Sequence, residues 1–373
     1  MFKRLWVGNS VLTAGSLLFG IVICEIGLRL VNLLILPGGY WIDDRKSFWS
    51  SAYLRLDSSG AIRAVTNATV REVMYINKHI EYDVTFKTNN LGLIDDRDYS
   101  PVSDARRRVV FVGDSFTAGT GAPPWVPKLA KELVNQGTGI ELFNLGFAGT
   151  GIHHFARLVE SFREEIPFDE LYVLVICNDF GRADWVPRST ADGFYFCSDS
   201  DTCLSQPPLI QFIGLEDTEA DIVQRAKFDS VNNARHVQVS AREISWIKKV
   251  IAASALLSGM NMLRQEILMR KRETVEFQKL IEADLPSLNR LAAFSGPKYF
   301  VHIPQKQEIE RGHYICSPKT IVESRGFKYV PLLNHCQINT SHYHKADLHL
   351  NADGTQVLQR CMKEYVINAE KSP

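Results

Sequence analysis

The stretch Val109-Val110-Phe111-Val112-Gly113-Asp114-Ser115-Phe116-Thr117-Ala118-Gly119-Thr120-Gly121-Ala122-Pro123 decides how the rest of the chain is read. Four apolar residues stop abruptly at Gly-Asp-Ser. Such a run between polar flanks suits a strand buried on both faces, and a glycine at its end marks a sharp turn into the next element. Ser115 then has two readings, as the N-cap of the following helix or as a nucleophile projected into a crevice. The pattern Gly113-Asp114-Ser115-Phe116-Thr117 lacks the second glycine of a G-x-S-x-G elbow.

Similar runs recur downstream. Val109–Gly113 is followed by a helical pattern ending near Gly137, and 140–144 (IELFN) by a Gly-rich turn and a second helical pattern. Residues 171–177 (LYVLVIC), 298–303 (KYFVHI) and 326–333 (GFKYVPLL) complete the series. Continuous apolar strands separated by helices are the signature of a parallel sheet covered on both faces. The expected fold is α/β, a three-layer α/β/α flavodoxin-like sandwich with a parallel five-stranded sheet. Function is then expected at the carboxyl ends of the strands.

Composition narrows the classes. The 373 residues carry 42 Lys plus Arg and 42 Asp plus Glu, a formal charge of zero. A phosphate-binding surface needs a basic surplus, so nucleic acid is excluded as a partner. The run Arg106-Arg107-Arg108 reads as the solvated end of a linker. At 45% hydrophobic and 23% charged, the chain can build an ordinary core.

Residues 5–24 (LWVGNSVLTAGSLLFGIVIC) hold no formal charge. At ~1.5 Å per residue they would cross a ~30 Å hydrocarbon core. They read as an uncleaved signal anchor, with Lys3 and Arg4 favouring a cytoplasmic N-terminus. Residues 250–263 (VIAASALLSGMNML) are too short for a second span and read as a buried or substrate-lining helix. Cys197 and Cys203 flank a hairpin tip, and Cys316 and Cys336 are candidates for a second disulfide. Two disulfides suit an oxidising compartment.

Three further stretches fall after strand ends. In FNLGFAGTG, Asn144 precedes Gly149, whose N–H can donate to an oxyanion or simply belong to a Gly-rich turn. In VICNDF, Asn178 and Asp179 offer an amide donor or an Asx turn. In KADLHLNADG, Asp347 and His349 stand two apart, so in extended chain they share a face and the carboxylate can orient the imidazole. A local surface pair, or a metal set with His342 and His344, is the alternative.

In the order Ser…Gly…Asn…His, these stretches resemble the four blocks of the SGNH, or GDSL-type, hydrolase superfamily, over roughly residues 107 to 368. The resemblance implies Ser115 as nucleophile and His349 as base with Asp347 beside it. It also implies an oxyanion hole from the N–H groups of Ser115 and Gly149 and the Asn178 amide, with Asp114, Asn144 and Asp179 in support. Two departures stand out. Ile176 occupies the glycine of the usual G-x-N-D, and the last block is D-x-H rather than D-x-x-H. The shorter spacing is similar to membrane-tethered and alginate O-acetyltransferase-like branches.

The expected organisation is an anchor at 1–36, a tether and irregular extension at 37–105, and the SGNH-type domain at 106–368 with an insertion at about 181–290. The implied activity is acyl transfer through an acyl-enzyme, with no cofactor. Substrates would be cell-envelope glycan esters or other small esters, handled outside the bacterial inner membrane in the periplasm. O-acetyl transfer to an exopolysaccharide, or non-catalytic glycan binding in envelope assembly, is the rival reading.

Overall fold

A computed structural model describes residues 16, 19–27, 45–76, 79–198, 203–204, 208–226, 277–333 and 335–368. Lys46–Tyr75, Ile80–Ile222 and Glu273–Pro373 form one compact unit. A second, Met1–Arg45, Ile76–His79 and Val223–Arg272, lies almost wholly outside the described residues.

Five strands make a parallel sheet: β6 (Arg107–Gly113), β7 (Ile140–Gly146), β8 (Glu170–Val175), β12 (Lys298–His302) and β13 (Lys328–Pro331). Their order is β13-β12-β8-β6-β7. β6 is central, with Gly113 in register with Gly146 on one side and Leu174 on the other. Every residue of β6 and β8 is buried, because helices cover both faces. On one face α3 (Ile152–Glu165) and α4 (Leu285–Ala292) contribute Phe155, Phe162 and Leu288 to the core. On the other, α2 (Trp125–Asn135) and α7 (Ala352–Asn368) contribute Trp125, Leu129 and Leu358. Emptying one such site, as in Phe111→Ala, removes roughly 3–5 kcal/mol.

The architecture differs from the expected fold class in two ways. First, one sandwich does not account for the unit. A six-stranded mixed sheet stands beside the parallel one, in the order β5-β4-β1-β11-β10-β9, with a two-stranded antiparallel pair, β2 (Leu54–Leu56) and β3 (Ile62–Ala64). Its strands β1 (Arg45–Trp49), β4 (Thr69–Ile76) and β5 (His79–Lys87) come from the stretch read as irregular. The others, β9 (Val186–Ser189), β10 (Gly193–Cys197) and β11 (Ile210–Phe212), come from the insertion. The two segments join where β1 runs parallel to β11, Ser47 opposite Ile210 and Trp49 opposite Phe212. β1 and β11 are short and lie far apart in sequence, so this junction leaves no local signature.

Second, no helix among the described residues is long and apolar enough to cross a membrane. Most of residues 5–24, and all of 250–263, lie outside the described residues.

The basic run 106–108 is also corrected. Arg107 and Arg108 belong to β6 and are buried, each matched by a carboxylate on a neighbouring strand. Arg107 Nη2 lies 2.6 Å from Glu170, and Arg108 Nε 2.7 Å from Glu141. Charge on a strand end is tolerated inside because it is paired there.

Candidate active site

The site begins where β6 ends. A side chain on Gly113 would come within 2.1 Å of Thr117 Oγ1 and 2.6 Å of the Leu174 carbonyl, so only glycine fits this turn. The next residue caps the short helix α1 (Ser115–Ala118). Asp114 Oδ1 accepts the Phe116 N–H at 2.9 Å, and its carbonyl accepts from Thr117 and Ala118. The cap is therefore Asp114, and Ser115 is the first helical residue with its hydroxyl released from that duty.

That hydroxyl has two acceptors. His349 Nε2 lies 2.9 Å from Ser115 Oγ, and Asp114 Oδ2 lies 3.3 Å away. His349 Nδ1 hydrogen-bonds Asp347 Oδ1, which also accepts the His349 backbone N–H at 2.8 Å. A carboxylate against Nδ1 places the ring proton there and leaves the Nε2 lone pair facing the serine. Asp347 is 1% exposed. Burial alone would lower the His349 pKa, but the Asp347 hydrogen bond and charge, aided by Asp114 and Glu72, leave it raised.

The histidine loop is braced on several sides. The His344 N–H donates to the His349 carbonyl at 3.0 Å, and Tyr343 bridges to Leu350. His344 Nε2 donates to the Gly121 carbonyl at 2.7 Å, and the Ala346 N–H to Glu81 of β5 at 2.9 Å. His342 Nδ1 accepts the Asn339 N–H. His342 and His344 are thus engaged within loops, and among the described residues they form no three-ligand cluster with Asp347 and His349.

The second loop follows β7. Asn144 is fully buried: its Oδ1 accepts the Gly146 N–H and its Nδ2 donates to the Ile94 carbonyl. Gly149 has φ +78°, left-handed backbone that favours glycine, and Trp185 Nε1 donates to its carbonyl at 2.8 Å. Thr150 Oγ1 donates to the Phe147 carbonyl at 2.6 Å and lies 3.3 Å from that of Gly113, pinning this loop to the strand that carries Ser115.

The third loop is the single turn Cys177–Asp179. Asp179 Oδ2 accepts the Ile176 N–H at 2.9 Å. Asn178 is exposed, and Asp179 is fully buried. Burial first, and the Asp114 charge second, hold the Asp179 carboxyl well above its usual range.

Sequence reasoning missed Glu72. It stands on β4 between Val70 and Met74, in the series that faces inward, and is 4% exposed. A cavity of about 10 Å³ lies between it and residues Ala118, Gly119 and Thr120, just after Ser115. That volume matches one water. Burial, more than any neighbour, pushes the Glu72 carboxyl up to about 7, with the Asp347 charge adding to it and His349, Trp49 and Tyr82 opposing. The available signal was a carboxylate at the i+2 position of an apolar strand face.

Cysteine pairing also differs in part. Cys197 bonds Cys203. Cys316 bonds Cys177, not Cys336, and Cys336 bonds Cys361. Cys177 ends the buried strand run and Cys361 sits on α7, so only tertiary packing brings them to their partners.

His153, His154 and Asp184 form a separate cluster, the two Nε2 atoms 3.3 and 3.2 Å from Asp184 Oδ1. The His154 Nδ1 accepts the Gly151 N–H at 3.2 Å, which puts that ring's proton on Nε2. Arg157 donates to the same carboxylate. The Asp184 charge in this set is thus compensated by the Arg157 guanidinium.

No protein-family model and no curated protein matches the chain. Among solved structures it is similar to a lipase/acylhydrolase from Enterococcus faecalis (11% identity over 71% of this chain and 97% of that one, TM-score 0.33). It is similar too to an α/β hydrolase from the metagenome of Lake Arreo, Spain (13%, 73% and 99%, TM-score 0.34). A third is a psychrotrophic esterase from Pseudoalteromonas sp. (10%, 71% and 100%, TM-score 0.32). Similarity this distant carries no weight for the chemistry, which rests on the site.

Proposed function

We propose that the protein is a serine-dependent acyl ester hydrolase of the SGNH type. The observation that carries this reading is the hydrogen-bonded line from Ser115 Oγ through His349 to Asp347. His349 Nε2 takes the hydroxyl proton as Ser115 attacks the ester carbonyl, and Asp347 stabilises the imidazolium. The Ser115 and Gly149 N–H groups and the Asn178 amide receive the oxyanion. Collapse expels the alcohol, which takes its proton from His349. Water then repeats the sequence on the acyl-enzyme and frees the acid.

Three disulfides among the described residues support an oxidising compartment, and with it a cell-envelope acyl ester as substrate. The test is hydrolysis of p-nitrophenyl acetate by the full-length protein beside Ser115→Ala, with products from an acetylated oligosaccharide analysed in parallel. Free acetate formed only by the wild type is the expected result. Acetyl appearing on a second sugar identifies the same acyl-enzyme as a transferase. Hydrolysis undiminished in Ser115→Ala overturns the mechanism.

A further inference from the structure

One guanidinium touches all three loops of the site. Arg182 lies just after the third loop, beyond Gly181, whose N–H is held by Asp284 at 2.7 Å. Its Nε donates to the Asn178 carbonyl at 3.2 Å, and its Nη1 to the Thr150 carbonyl at 2.9 Å. Its Nη2 lies 3.1 Å from Asp179 Oδ1 and 3.7 Å from Asp114 Oδ2. Each contact falls within one residue of a group on which the proposed mechanism depends: Asp114 precedes Ser115, Thr150 follows Gly149, and Asn178 carries the third donor.

The charge arrangement adds a second argument. Asp114 and Asp179 are 1% and 0% exposed and face the same guanidinium. Negative charge on two dry carboxyl groups that face one cation is offset by that cation. An uncompensated charge on Asp114, 3.3 Å from Ser115 Oγ, would oppose the negative charge that builds on the substrate. Arg182, 23% exposed, supplies the compensation, and its planar fork fixes direction as well as charge.

We propose that Arg182 is a positioning residue for the acyl-transfer step, fastening the loops of Ser115, Gly149 and Asn178 in mutual register while cancelling charge on the carboxyl pair between them. This rests on the serine-hydrolase reading above. Arg182 touches no reacting atom; it acts through the donors it aligns. Misplacement of such donors by about 1 Å costs on the order of 10²-fold in rate.

Turnover of p-nitrophenyl acetate by wild type, Arg182→Ala, Arg182→Lys and Ser115→Ala tests it. Arg182→Ala is expected to lose roughly 10- to 100-fold in kcat with KM little changed. Millimolar guanidinium is expected to restore part of that kcat, and to restore none in Ser115→Ala. Arg182→Lys keeps the charge but cannot reach both carbonyls, so it should fall between wild type and the alanine variant. If Arg182→Ala does not fold, the lysine variant decides: wild-type kcat overturns the assignment. So does an alanine variant whose kcat is normal, or whose loss equals its unfolded fraction and resists guanidinium. Labelling by a fluorophosphonate separates the two readings. Wild-type protein that does not label through Ser115 overturns both, whereas labelling equally fast in wild type and Arg182→Ala overturns the role of Arg182 alone.

Discussion

His349 Nε2 lies 2.9 Å from Ser115 Oγ although 234 positions separate the two residues. The contact closes because β6 delivers the serine at one strand end while the braced loop before α7 delivers the imidazole. The proposed base works only when neutral. Its raised pKa therefore puts the acid limb of kcat/KM above the ordinary histidine value of 6.5, with activity rising as pH increases through it. In Asp347→Asn the hydrogen bond and charge that raise this pKa are lost. The limb should move to lower pH while turnover falls by roughly 10⁴-fold. A pH–rate profile of both proteins reads the two effects, and a limb that stays in place in Asp347→Asn contradicts the assignment of that carboxylate.

Asn178, the proposed third oxyanion donor, is exposed, so its side chain serves stability little. Asn178→Ala is expected to leave the unfolding free energy within about 0.5 kcal/mol of wild type. Its kcat should fall by roughly 10²–10³-fold, the usual cost of one oxyanion donor. Steady-state kinetics and a urea titration on one preparation make the comparison. A normal kcat would remove the amide from the oxyanion hole.

Glu72 makes stability depend on pH in a defined direction. Its carboxyl titrates at about 7 when folded, against 4.5 ordinarily, so the native state holds a proton that the unfolded chain has released. Stability then declines as pH rises from about 4.5 to about 7, by an amount on the order of 3 kcal/mol. Glu308, also pushed up to about 7 by burial, adds a decline of the same sign. Glu72→Gln should abolish its own share and flatten the curve relative to wild type. Denaturant unfolding at pH 5 and pH 8 measures the difference, and identical slopes in the two proteins would contradict it.

What could be read in the sequence follows the range of the forces involved. Val109–Val112 is apolar because both sheet faces are covered, and Gly113 is fixed by its close neighbours, so that strand and turn announce themselves locally. Asp347 and His349 do likewise, being two residues apart. The mixed sheet was hidden because β1 (RKSFW) and β11 (IQF) are stabilised by each other rather than by any periodicity of their own. Arg107 and Arg108 were misread for the same reason: their carboxylate partners lie on neighbouring strands. Ser115 was balanced between cap and nucleophile until the Asp114 side chain took the Phe116 N–H.

The three disulfides should differ in what they contribute, because they close loops of different length. Cys177–Cys316 spans 139 residues, Cys336–Cys361 spans 25 and Cys197–Cys203 spans 6. Loop-closure entropy in the unfolded chain gives roughly 5, 3.5 and 2 kcal/mol in that order. Paired alanine replacements, unfolded in urea under non-reducing conditions, should rank accordingly. The Cys177/Cys316 pair should also affect rate, since Cys177 opens the turn that carries Asn178 and adjoins the strand end beside Ser115. Loss of that bond should lower kcat at temperatures well below unfolding, whereas loss of Cys336–Cys361, which ties α7 to the loop after β13, should not. Equal destabilisation by the shortest and longest loops would contradict the entropic account. An unchanged kcat without Cys177–Cys316 would confine that bond to stability.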